Sequence, residues 1–307
     1  MTGLDKQIFS ILPEVEEALM RGNPIVALES TVITHGLPYP ENRNLASNME
    51  TEIRAQGCIP AMIAILDGKI CIGLDPSQLE QLVHIEDVRK VSVRDIAPTM
   101  AAHKSGGTTV AGTLAIAQKV GIKVFATGGI GGVHRHAPFD VSADLGQLAL
   151  AQLVVICAGA KAILDIPATL EVLETYGVPV IGYQTDEFPA FFSISSGLPV
   201  NARVNSAEEV AILANMHWDL GQPGSILVAV PPPAEVAMDF ETVETVVQKA
   251  LEEAQNNSIH GQSITPFLLR RVSELTEGAS LKANLGLLLN NARIAAKIAH
   301  FIYPRRD

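Results

Sequence analysis

Basic residues, cysteines and aromatic residues are all scarce in this chain, and each scarcity removes a class of function. Lys and Arg number 22 against 33 Asp and Glu, a formal net charge of −11 over 307 residues. A general nucleic-acid binder needs a basic footprint to displace counterions from phosphates, so that class is disfavoured. An anionic small molecule would have to be held by a local cluster of donors instead. The three cysteines, Cys58, Cys71 and Cys157, are odd in number and lack C-x-x-C spacing. They fit a reducing compartment and suggest neither a zinc site nor a disulfide framework. The single tryptophan, Trp218, and the Phe191-Phe192 pair are read as core or subunit contacts rather than base-stacking groups. No apolar run approaches the length of a membrane span. The opening MTGLDKQIFSILPEVEEAL reads as a short amphipathic helix without the basic region, apolar core and cleavage site of a signal peptide. The expectation is a soluble, cytoplasmic protein with no membrane partner. Linkers and internal repeats are missing too, so one domain over residues 1–307 is the economical reading.

What is present is a steady alternation of apolar strand-like runs with helical segments. Ile25–Leu28, Ile59–Leu66, Lys90–Val93, Val124–Ala126, Leu153–Cys157, Val178–Gly182 and Ile226–Val230 read as strands, with Phe188–Phe192 following the sixth of them. Helices are expected over Glu41–Gln56, Ser77–Val83, Ser206–Leu220, Glu241–Gln255, Pro266–Thr276 and from Leu281 to Tyr303. Another is capped by Asp165, with Pro167 in its first turn. Asp67-Gly68 marks a hairpin turn, and Lys104–Thr113 reads as a Gly/Thr-rich loop. Strand–helix alternation of this kind predicts an α/β fold with a mostly parallel sheet flanked by helices.

The candidate chemistry lies where apolar runs stop. Lys161 follows Leu153–Cys157 through Ala-Gly-Ala, with no bulky polar neighbour to carry it into water. Burial disfavours an ammonium, and a neutral amine attacks carbonyl carbon, so Lys161 is a candidate nucleophile; the bland alternative is a solvated lysine at a strand–helix junction. Glu29 follows Ile25–Leu28 and precedes Ser30-Thr31. A carboxyl buried there would have a raised pKa and act as a general acid, whereas a loop glutamate in an ion pair would do nothing. Asp140 and Asp144 form D-x-x-x-D, read either as a hard-cation site for Mn²⁺ or Mg²⁺ or as a helix-cap pair. The Thr127–Gly132 loop is neither G-x-G-x-x-G nor a P-loop. Beside His134 and Arg135, and with the second glycine loop Gly106–Thr113, it reads as an anionic-ligand site with Thr127 and His134 among its contacts. His35, His103 and His136 show no metal-type spacing.

Together these residues resemble a known family, the pseudouridine-5′-phosphate glycosidases, related to the indigoidine-synthase-A-like proteins. The strings that carry the likeness are ALESTVITHG, KVSVRD, GGTTVAGT, KVFATGGIGGVHR, FDVSADL, VVICAGAKAILD, GVPVIGYQTDEFPAFF, SITPFLLRRV and SLKANLGLLLNNA, in order along nearly the whole chain. The resemblance implies a three-layer α/β/α fold, a homotrimer and one Mn²⁺ per subunit. It implies reversible cleavage of the C–C glycosidic bond of pseudouridine 5′-phosphate to ribose 5-phosphate and uracil, with no nucleic-acid partner. That bond offers no heteroatom to protonate, so a two-carboxylate hydrolysis does not serve. A lysine imine with the ring-opened sugar takes its place. Matched by motif, the resemblance makes Lys161 the imine former, Glu29 the proton donor and Asp140 the metal ligand. By the same match Ser142, Ala143 and Asp144 line the substrate, with Lys90, Val110 and Asn284 as further contacts.

Three other readings share these residues. A Schiff-base aldolase of a phosphorylated sugar would use the same lysine without a pyrimidine site. A non-catalytic sugar-phosphate binder would use the loops alone. A protein of the indigoidine branch would act on a different C–C or C–N nucleoside-like bond.

Overall fold

Apolar runs without alternation, such as Ile25–Leu28 and Val154–Cys157, satisfy their pattern only where both faces of the strand are covered, and every residue of both is buried. The computed structural model describes residues 5–135, 137–257, 259 and 264–303. The chain begins with β1 (Phe9–Ile11), α1 (Pro13–Arg21), β2 (Ile25–Leu28), α2 (Glu41–Ala55), β3 (Ile59–Leu66), β4 (Lys69–Ile72) and α3 (Pro76–His84). It continues through β5 (Arg89–Val91), α4 (Ile96–Ala101), β6 (Gly106–Thr108), α5 (Val110–Val120), β7 (Val124–Ala126), β8 (Val133–His134), β9 (Ala137–Val141) and α6 (Ala143–Leu148). The second half holds β10 (Val154–Cys157), β11 (Leu164–Asp165), α7 (Ile166–Thr175), β12 (Val180–Tyr183), β13 (Ala202–Val204), α8 (Ala207–Asp219) and β14 (Ile226–Ala229). It closes with α9 (Phe240–Asn256), α10 (Ile264–Leu275) and α11 (Ala279–Ile302).

Among the described residues, eleven strands form one sheet in the order β1-β4-β3-β2-β7-β10-β14-β12-β13, with β6 paired to β3 and β5 to β6. From β3 to β13 every neighbour on that path is parallel; β3 is antiparallel to β4 and to β6. Helices cover both faces and complete the α/β/α layering. From β2 the chain steps outward to β3, then returns to place β7 on the other side of β2. Such a reversal opens a crevice at the carboxyl ends of the flanking strands. Over β2, β7 and β10 lies α11, whose Leu287, Leu288, Asn291 and Ala295 are buried on the packed face.

Several details depart from the sequence reading. The opening segment is not one helix: Phe9–Ile11 pairs in parallel with Ile70–Ile72. Helix α1 starts only at Pro13, where the missing N–H costs nothing; Met1–Leu4 and His136 lie outside the described residues. Within the expected loop Lys104–Thr113, Gly106–Thr108 is a strand. Its glycines permit a close approach, since a Cβ on Gly106 would sit 2.3 Å from Val91 Cγ2 and one on Gly107 2.2 Å from Thr34 Oγ1. Phe188–Phe192 contributes one residue, Ala190, to an isolated bridge with Ser193 and forms no strand, and Ala202–Val204 is an additional, largely exposed edge strand. The Asp165 cap is as expected, accepting from Ala168 N at 3.0 Å.

Gly159, just past β10, has φ +88°, and a Cβ there would lie 2.1 Å from the Pro189 carbonyl oxygen. Gly159→Ala is therefore expected to lower stability by about 2 kcal/mol or more, read as a drop in the urea midpoint. An unchanged midpoint would contradict this packing.

Candidate active site

The carboxyl ends of β2, β7 and β10 open into a cavity of about 600 Å³. Glu29 enters it from the end of β2, Gly128, Gly129 and Gly131 from the loop after β7, and Lys161 from the loop after β10. Lys90 of β5 and Val110 at the start of α5 close one side. His134, Asp140, Ser142, Ala143 and Asp144 also line it, as does Asn284 of α11. Residues scattered over the sequence thus meet around one space. Thr127 is the exception: it is fully buried and does not line the cavity. Its hydroxyl donates to the Glu29 carboxylate, so it supports that acid instead of contacting a ligand.

Lys161 is carried on a continuation of the sheet. Beyond the strands the two loops stay paired, with Ala158 N donating to Gly128 O at 2.8 Å, Ile130 N to Gly159 O at 3.0 Å and Lys161 N to Ile130 O at 3.1 Å. The side chain is half-buried and makes no ion pair among the described residues. Arg135 braces the far side of the same turn. Its guanidinium donates to Leu164 O and Ala162 O, each at 3.0 Å, and makes a two-pronged pair with Glu244 at 2.6 and 2.7 Å. Arg135 is therefore a structural clamp and no part of an anion cradle.

The D-x-x-x-D pair is divided in the fold. Asp140 sits exposed on β9 at the cavity rim, whereas Asp144 is buried in the first turn of α6. Both Asp144 oxygens accept backbone N–H groups, Oδ1 from Ala111 and Oδ2 from Gly131, each at 2.8 Å. An internal carboxylate thus occupies donors in both glycine loops and ties them together.

Charge is unevenly solvated here. Glu29 is 7% exposed. Burial raises its pKa above the ordinary carboxyl value; Lys161 and the Thr127 hydroxyl offset part of the rise, while Asp144 adds to it. Burial also lowers the Lys90 pKa, and the Lys161 charge lowers it further, against Asp144 and Glu29. His134 is held below its ordinary value by burial, with Asp140 opposing and Lys90 and Lys161 reinforcing. Together these groups can attack a carbonyl carbon, protonate a leaving atom and hold an anion.

No group of three or more His, Cys, Asp or Glu side chains converges to hold a metal among the described residues. One exposed carboxylate, Asp140, with His134 nearby, fits a hard cation that keeps most of its waters and takes further oxygens from a ligand. It does not fit a closed cage.

Other lining residues carried no assignment from sequence. His35, whose Nδ1 lies 2.7 Å from Thr34 Oγ1, faces the cavity with Ser92, Asp95 and Phe191. The position of THG just past β2 is the one signal that points to His35. Phe191 is buried, as a core residue should be, yet its ring reaches the cavity from a backbone at φ +62°, which nothing in the string FPAFF announces.

The model of the family described as indigoidine synthase A like protein matches residues 14–301. A relative from Herpetosiphon aurantiacus named pseudouridine-5′-phosphate glycosidase is 51% identical over 94% of this chain and 96% of its own. One of the same name from Geobacillus kaustophilus is 52% identical over 93% and 96%. Among solved structures, the prealnumycin C-glycosynthase in complex with ribulose 5-phosphate superposes with a TM-score of 0.90 at 37% identity, covering 97% of this chain and 98% of that one. An indigoidine synthase A-like protein from Thermotoga maritima gives 0.89 at 35%, over the same shares.

The raised pKa of Glu29 has a consequence for stability. Folding favours its protonated form, so that contribution is present below the unfolded carboxyl range and is lost as pH rises through the folded value. Glu29→Gln, neutral at every pH, is expected to melt with the parent near pH 4 and several degrees above it at ~pH 8.5. Coincident melting curves at both pH values would show that the carboxyl is not held out of water.

Proposed function

The chain belongs to the indigoidine synthase A like family, and on that premise we propose that it is an enzyme cleaving the C–C glycosidic bond of pseudouridine 5′-phosphate, reversibly, to ribose 5-phosphate and uracil. The observation that carries the reading is the meeting in one cavity of Lys161, from the loop after β10, and the buried Glu29, from the end of β2, on either side of β7. Relatives of that name at about half identity over nearly the full chain support the substrate.

In the cleavage direction, Lys161 Nζ bonds C1′ as the ring oxygen leaves it, and the proton that the nitrogen then sheds passes to that oxygen. The nitrogen lone pair then forms C=N while the bond from C1′ to uracil C5 breaks. The released electron pair goes to C5, where a proton from Glu29 quenches it, and water hydrolyses the imine to ribose 5-phosphate. Burial raises the Glu29 pKa above the ordinary carboxyl value, which favours the acid form this step needs. Lys90, Val110, Ser142, Ala143, Asp144, Asn284 and His134 surround the sugar phosphate, all of them on the cavity wall. Asp140 would hold one Mn²⁺ per subunit, which when bound would supply positive charge for phosphate or sugar oxygens. The reading takes residues 1–307 as one domain and the protein as a cytoplasmic homotrimer. The wholly exposed Phe139 on β9 offers an apolar surface for assembly to cover. No helix of the described residues is long and apolar enough to cross a membrane.

Borohydride added with ribose 5-phosphate is expected to leave a reduced sugar adduct on the parent protein and none on Lys161→Ala, read by intact mass. Full turnover by Lys161→Ala would end the covalent reading. Ribose 5-phosphate with uracil should yield pseudouridine 5′-phosphate, an outcome that an aldolase or a mere sugar-phosphate binder cannot give. Glu29→Ala is expected to slow cleavage ~10²–10⁴-fold. Treatment with EDTA should reduce turnover and Mn²⁺ restore it; turnover indifferent to both would remove Asp140 from its role.

A further inference from the structure

Glu29 ends β2 with one side-chain hydrogen-bond partner among the described residues, and that partner is itself gripped from outside the sheet. Thr127 is fully buried; its N–H donates to Ile156 O at 3.0 Å, and its hydroxyl is spent on the Glu29 carboxylate. The Thr127 carbonyl accepts from Asn291 Nδ2 at 2.9 Å, and the same amide reaches Gly128 O at 3.4 Å. Asn291 is fully buried on α11, two turns beyond Asn284 and one beyond Leu288, both of which line the cavity. A Cβ on Gly128 would meet Leu288 at 3.1 Å and Leu287 at 3.3 Å, so the helix presses directly on this loop.

An amide is a poor choice for packing there. Its Oδ1 is buried without a partner among the described residues, a desolvation cost that a leucine of similar size would not carry. The amide therefore repays its presence only through what its N–H groups hold. We infer that Thr127 and Asn291 are positioning residues for the proton donor: Asn291 fixes the Thr127-Gly128 peptide to α11, and Thr127 presents its hydroxyl to Glu29. Neither lines the cavity. A hydroxyl donating to a carboxylate favours the charged form, so Thr127 restrains the rise that burial imposes on Glu29. Lys161 from the loop after β10, Asp144 from α6 and Lys90 from β5 also face Glu29 and are untouched by changes at Thr127 or Asn291. The inference rests on Glu29 being the proton donor.

The test is the pH dependence of kcat/KM for cleavage, with borohydride trapping of ribose 5-phosphate on Lys161 measured in parallel. In the parent, loss of activity at high pH should follow ionisation of Glu29, and Glu29→Gln should abolish that limb. Thr127→Val is expected to move the limb upward by about one pH unit and to lower kcat with little change in KM. Thr127→Ser should return the limb to the parent position. Asn291→Leu should move it in the same direction as Thr127→Val, and Asn291→Ala reads the same limb if the leucine does not fold. Trapping should be unchanged in the Thr127 and Asn291 variants. A stationary limb in Thr127→Val, or a serine variant that behaves like valine, overturns the role of Thr127; a stationary limb in the Asn291 variants overturns that of Asn291. A parent that traps no sugar, or a limb that survives Glu29→Gln, instead overturns the functional reading beneath.

Discussion

A carboxyl group held out of water beside a lysine is the condition on which the rest of this molecule turns. Glu29 stands at the end of a strand covered on both faces, and water is excluded around it by the same packing that makes the sheet. Burial makes ionisation of Glu29 costly, and Lys161 makes it less so. The acid form is thereby favoured at the spot where a strand end, a glycine loop and an amine converge. The carboxyl would not have this character in solvent, where a glutamate is ionised at neutral pH.

The glycine loops serve that arrangement in a way their composition does not advertise. Two of the backbone N–H groups that would suit a phosphate, those of Ala111 and Gly131, are occupied by Asp144. The loops are thus stitched to each other by an internal anion, and the ligand space lies beside the stitch. Arg135, which looks in sequence like an anion receptor, is consumed by Glu244 and two carbonyls and holds the turn that follows Lys161. Positive charge for an anionic ligand falls to Lys90 and Lys161, which face one cavity without ion pairs among the described residues.

The outer strands show why some of the architecture is hard to read from sequence. Strands β2, β3, β7, β10 and β14 are apolar runs buried nearly throughout, and their pattern alone identifies them. Strands β1, β6 and β13 have three residues each, and β6 is Gly-Gly-Thr. No local propensity marks them; they exist because a neighbouring strand offers hydrogen bonds. Thr127 is legible as a loop residue next to a ligand, but which way its hydroxyl turns depends on β2 lying beside β7.

Apolar patterning along the chain determined the class of fold, because unbroken apolar strands alternating with helices can be buried only as a covered, mostly parallel sheet. It also marked Glu29 and Lys161, since a polar residue at or shortly after the end of such a run lies at the carboxyl end of the sheet. The division of labour around them belongs to the tertiary structure. Strand order set Glu29 next to Thr127, α11 brought Asn291 to the Thr127 carbonyl from 164 residues away, and α6 turned Asp144 inward while Asp140 stayed in solvent. Hydrogen bonds and desolvation act over a few ångströms, and only the folded chain decides which groups come that close.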